Sequence, residues 1–211
     1  MFSIKNNYSL FFILLTCSCL IMYLFQTVLD TNHKHYVFLS ETLLQDQVEN
    51  IIENKKKWEW LSYLLIILVQ STKILIISFV IQLGVSLFNM NLKFKKTFYL
   101  VTKAEFIFVF VSLVKMIILY FKGNYTFEDI LYFYPLSALH FVGYEGLSPW
   151  FIYPLQTLNL FEVFYWFVLA FYLAKELKKP IDFGFKIIAS SYGSSLIIWV
   201  VTVMFISLSV N

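Results

Sequence analysis

The stretch Tyr99 to Phe121, YLVTKAEFIFVFVSLVKMIILYF, constrains the fold more than any other part of the chain. It is long enough to cross a bilayer, because ~20 apolar residues rising 1.5 Å each span the hydrocarbon. It nevertheless carries Lys103, Glu105 and Lys115. Charges inside a span are costly, usually face other helices or water, and by default point to function or to partner contacts. Its flanks are unequal: Lys93, Lys95 and Lys96 precede it, whereas Glu128 and Asp129 follow it after Lys122. That asymmetry gives the segment a direction.

The rest of the composition agrees that lipid is the solvent. Of 211 residues 60% are hydrophobic and only 14% charged, where a soluble domain carries about 25% charged residues. A formal charge of +3, scattered along the chain, gives no footprint for nucleic acid. All 16 basic residues are Lys, so no Arg-based phosphate clamp or arginine finger can be built.

Five apolar stretches follow one another, at about 10–29, 61–88, 99–121, 155–174 and 185–210. They predict an all-α, polytopic membrane protein, a single integral membrane domain over residues 1–211. The first stretch is too long for a signal-peptide core and is followed by no small-residue cleavage site. Thr16 before Cys17 is a poor lipidation signal, and Cys17 and Cys19 lie on different faces of a helix. They read as buried thiols. The loops 89–97 and 175–186 hold three and four lysines. The positive-inside rule then places the N-terminus in the cytoplasm and the C-terminus outside, in a cell inner membrane. Lys55, Lys56 and Lys57 oppose that orientation.

Two stretches fall outside the spans. From Asp30 to Glu59 the chain is polar, and Thr42 with Gln45 resembles a capping box. Leu44, Val48, Ile51 and Ile52 share one side of the helix that follows, which predicts an amphipathic helix on the membrane or a partner. His33 and His35 just before it read as solvated loop residues, since two His without a third ligand do not make a metal site. From Lys122 to Pro154 the chain is rich in Tyr, Phe and Trp and broken by Pro135, Gly143, Gly146, Pro149 and Pro154. We read it as short interfacial helices, or in a second version as a re-entrant segment around Leu136 to Val142.

Depth decides which intramembrane charges can meet. Lys115 and Glu162 each lie roughly 10 Å below the same surface, counted at 1.5 Å per residue. This predicts a Lys115–Glu162 pair, with Lys73 somewhat deeper and Asn159 one turn from Glu162. The four residues form a polar cluster, either a structural ion pair with snorkelling lysines or a small polar cavity or partner site. Lys103 and Glu105 read as inner-leaflet, interfacial charges. No phosphate loop, GxSxG or HExxH occurs, and no cofactor or metal site is expected. His140 with Glu145 in the aromatic loop is the best acid/base candidate.

The second half carries a resemblance. FKKTFYLVTKAEFIFVFVSLV after a Lys-rich hairpin, then PLQTLNLFEVFYWFVLAFYLAKEL, a Lys/Pro turn and a small-residue-rich last span are similar to the Yip-domain family of five-span membrane proteins. The similarity covers about Trp60 to Val210, and the chain is closest in form to short bacterial members. It implies a non-enzymatic protein that assembles with others, and it carries over no catalytic residue. The expected function is a non-catalytic inner-membrane scaffold or accessory subunit, bound to lipids and to other membrane proteins. The alternative is a permease-like transport component whose polar path is lined by Lys73, Lys115, Asn159 and Glu162.

Overall fold

The computed structural model describes residues 5–210, and side chains over 9–209; the first four residues of the polar head lie outside it. Among the described residues every regular element is helical. Four helices are long and apolar enough to cross a membrane: Ser9–Val28, Glu59–Leu87, Phe94–Lys122 and Ile181–Ser209. They mark the chain as a helical, multi-pass membrane protein.

The helices are α1 (Lys5–Val28), α2 (Thr31–Ser40), α3 (Gln45–Lys57), α4 (Glu59–Leu87) and α5 (Phe94–Lys122). After them come α6 (Phe127–Tyr132), α7 (Ala138–Val142), α8 (Pro149–Thr157), α9 (Leu160–Leu177), α10 (Ile181–Ile188) and α11 (Ser194–Val210). A π-helical turn, Ala189–Gly193, joins α10 to α11 without a break. Helix α5 is the hub, with α1, α4 and α9 all packed on it. The main core is made by Ile74, Ile81 and Val85 of α4 with Val101 and Ala104 of α5 and Leu169 of α9, all fully buried. A second small cluster, Leu29, Leu119 and Ile130, lies where α1 and α5 meet the aromatic loop.

Glycines set the closest approaches. A Cβ on Gly84 of α4 would lie 2.6 Å from Ser191 Cβ in the π turn, so only Gly fits there. Gly184 of α10 packs against the Ala170 carbonyl of α9 in the same way. The small-residue group at 189–195 thus acts as its composition suggests, letting helices meet at backbone distance.

Three expectations are corrected. The fourth apolar stretch is not one helix from 155 to 174. It breaks at Leu158–Asn159, and α9 keeps 18 residues, with Glu162, Lys175 and Glu176 among them. The break has a backbone cause. Ala138 N–H donates to the Leu158 carbonyl at 2.8 Å and Leu160 N–H to that of Leu136 at 3.2 Å, an antiparallel bridge centred on Ser137 and Asn159. Asn159 then starts α9 by accepting the Glu162 N–H at 2.7 Å.

In the polar stretch, Thr42 and Gln45 do not cap α3. The helix starts after Leu44, whose N–H donates to Gln47 Oε1 at 3.3 Å, so only half of a capping box forms. Thr42 instead turns back to the Leu39 carbonyl. Of the apolar face only Val48 is buried, while Leu44 is 74% exposed. His33 and His35 lie within α2, not in a loop. The His35 ring stacks near Phe127 at 4.6 Å and its Nδ1 sits 3.3 Å from Lys55 Nζ. Burial, and then the Lys55 charge, pull its pKa below the usual histidine value.

Candidate intramembrane binding site

The charges inside the bundle pair differently from the expected Lys115–Glu162 contact. Glu105 of α5 is fully buried and accepts three hydrogen bonds: from Lys73 Nζ at 2.9 Å, Gln70 Nε2 at 3.0 Å and the Tyr165 hydroxyl at 2.8 Å. Gln70 and Lys73 share a face of α4 at i and i+3, which lets both reach one carboxylate. Glu105 is thus enclosed between helices. Helix α5 begins at Phe94, five residues earlier than the apolar run, and places Glu105 about 16 Å from its first residue. Lys103 does lie nearer that end and caps two rings, those of Tyr99 at 4.3 Å and Tyr172 at 5.2 Å.

Lys115 points elsewhere. Its ammonium donates to the Ile130 carbonyl at 2.7 Å, one of the last carbonyls of α6, and ties the aromatic loop to α5. Depth counting missed this because the direction a residue faces around a helix, and not its depth alone, selects its partner.

Glu162, at the start of α9, has no lysine bonded to it. Tyr192 OH at 2.7 Å and Trp166 Nε1 at 3.0 Å both donate to the same oxygen, Oε1. The π turn presents Tyr192 at this point, and such turns often occur at functional sites. Asn159 lines the same region, but its side chain is engaged in starting α9: its amide nitrogen donates to Gln156 and Thr157 carbonyls at 2.9 and 3.0 Å.

Between α4, α8, α9 and α11 lies a cavity of about 750 Å³. Lys73, Asn159 and Glu162 of the expected cluster line it; Lys115 does not. Its apolar wall comes from Val69, Ile76 and Val80 of α4 and from Leu196 and Trp199 of α11. Tyr134, Gln156, Tyr192 and Ser195 add hydroxyl and amide groups to the lining. Volume and lining fall in the range of small-molecule sites, where apolar walls carry a few converging polar groups. Lys73, half-exposed on the cavity wall, also lies 4.0 Å over the Phe108 ring.

Gln70, Tyr165, Trp166 and Tyr192 were not legible as site residues. Gln70 at i−3 from Lys73 was the one available signal, since a polar pair on one face of a span seeks a partner. Tyr165 and Trp166 were hidden inside the aromatic run of α9. His140 and Glu145 are both exposed. The His140 ring packs edge-on to Phe133 at 5.1 Å. Among the described residues no three His, Cys, Asp or Glu side chains converge as metal ligands.

On the loop, Asp129 accepts from Lys122 at 3.1 Å and from the Thr126 N–H at 3.0 Å, while Thr126 Oγ1 accepts the Asp129 N–H, a complete capping box for α6. Burial pushes the Asp129 pKa up, but the Thr126 N–H and the Lys122 ammonium outweigh it and hold the carboxyl below its ordinary value.

Comparison of the chain with protein-family models, with curated proteins and with solved structures finds no match in any of the three.

Proposed function

We propose that this chain binds a lipid-like amphiphile inside the bilayer, as the receiving component of a transport or lipid-handling system. Among the two functions expected from the sequence, this is the permease-like one. The observation that carries it is the 750 Å³ cavity between α4, α8, α9 and α11, lined mainly by apolar side chains with Glu162, Lys73 and a few hydroxyl and amide groups among them.

The same reading takes the chain across the membrane five times, with α9 as a crossing. Two contacts support it. Lys96 pairs with Glu176 at 2.7 Å, and Tyr165 reaches Glu105, so α9 runs antiparallel to α5 in register from the Lys-rich end inward. Its 18 residues reach about 27 Å, close to the ~30 Å hydrocarbon thickness. Lysines 93, 95, 96, 175, 178, 179 and 186 lie toward that end, which favours it as the cytoplasmic face of an inner membrane. A five-span architecture of this kind agrees with the Yip-domain resemblance.

The test is occupancy. Protein purified in mild detergent and weighed intact by native mass spectrometry should retain one amphiphile. Leu196→Trp, which fills the apolar wall, should lose it. An empty wild-type protein, or equal retention in both, overturns the proposal.

A further inference from the structure

Resting on that reading, we propose that the cavity selects a lipophilic cation, an organic ammonium or phosphonium with apolar substituents, and that the free oxygen of Glu162 is its counter-ion.

The charges within reach decide the sign of the guest. Lys73 and Glu162 are the charged residues of the lining. Lys73 is already matched: its ammonium bonds the fully buried Glu105 at 2.9 Å and rests 4.0 Å over the Phe108 ring. Glu162 has no such match. Its two donors are neutral, and both converge on Oε1. The residues Lys73, Glu105 and Glu162 together leave one uncompensated negative charge beside an apolar space. An ionised carboxylate away from water needs a counter-charge or a proton.

The surroundings suit a large, weakly hydrated cation better than a metal ion. Tyr134, Tyr153, Tyr192 and Trp199 line the same cavity as the carboxylate, and aromatic ring faces attract organic cations. Trp199 is fixed by donating its Nε1 to Tyr153 OH at 2.7 Å, which bridges α11 to α8 across the cavity. No second carboxylate lines the space, so a small divalent ion lacks the oxygen ligands it requires. An anionic headgroup meets Glu162 directly, with the one lysine already neutralised.

The experiment compares three probes of similar shape: tetraphenylphosphonium, tetraphenylborate and neutral triphenylphosphine oxide. Each is titrated by calorimetry into the full chain in uncharged detergent, against empty micelles. Saturable binding of the phosphonium, at least about tenfold tighter than either counterpart, is expected, the size of one charge contact. Glu162→Gln, which keeps an acceptor for Tyr192 and Trp166, should remove that preference while leaving the neutral probe's affinity unchanged. The wild-type ranking of the three probes stands as a test even if the variant fails to fold. Equal affinities, or tighter borate, overturn the cation assignment; if Leu196→Trp then abolishes binding of all three, the cavity reading survives it. No saturable binding of any probe overturns both.

Discussion

Glu105 and Glu162 are two carboxylates of one bundle, both inside its helices, and they are built for different ends. Glu105 is fully buried and encircled, with a lysine, an amide and a hydroxyl on it from two neighbouring helices. Glu162 lines a cavity and is held by two neutral donors on one oxygen. A fully matched charge joins helices; a partly matched one beside empty space is free to meet a guest. The cost of carrying a charge into lipid is the same in kind for both, so the contrast lies in what each satisfies.

The largest effect is expected from Glu105→Ala. It removes the acceptor for Lys73, Gln70 and Tyr165 at once; breaking a fully buried ion pair from one side typically costs about 3–5 kcal/mol, and the partly exposed Lys73 left behind here lowers that figure. Thermal unfolding in detergent should fall steeply or the protein should fail to accumulate. Replacing both partners, Lys73→Met with Glu105→Leu, should recover most of the loss, because two apolar groups leave nothing unpaired. Wild-type melting of Glu105→Ala would erase the contrast.

Next comes Gly84→Ala. The new methyl meets Ser191 at 2.6 Å and must push the π turn away from α4. Overpacking of this sort costs roughly 1–3 kcal/mol. It should also shift Tyr192 away from Glu162, seen as weakened binding of any cavity ligand.

Glu162→Gln should change stability by about 1 kcal/mol or less, since its two neutral donors keep an acceptor. A melting temperature close to wild type, set against the collapse of Glu105→Ala, is the sharpest form of the comparison. A drop as large as that of Glu105→Ala would make Glu162 structural too.

The smallest effect belongs to the loop that supplies Tyr134. Asp129 titrates below its ordinary value in the folded chain. Its contribution is therefore present above the ordinary carboxylate pKa of 3.8 and lost as pH falls through the lower folded value. Protection of the α6 amides, exchange measured against the unstructured rate at each pH, should fall only on the acid side of that window. Asp129→Asn should show the lower protection already at neutral pH, and pH-independent protection in the wild type would remove Asp129 from the account. His35 shows the same direction for a different reason: burial and Lys55 favour its neutral form, so the α2–α3 contact weakens as pH drops below the ordinary histidine value of 6.5.

Much of this protein is determined by sequence alone. The apolar runs fix helices, because in lipid the backbone has no partner but itself. The lysine-rich turns and the small-residue group at 189–195 are local, and local patterns survive being read one residue at a time. The chain also marks Lys73, Asn159 and Glu162 as polar residues in an apolar setting. Tertiary structure decides the rest. Which lysine meets which glutamate depends on how each helix is rotated, so Lys73 finds Glu105 while Lys115 turns to a carbonyl of α6. The break before α9 is made by backbone bonds to Leu136 and Ala138, twenty or more residues earlier in the chain. The cavity itself belongs to no single segment: it exists because α4, α8, α9 and α11 leave space between side chains that sequence order keeps far apart.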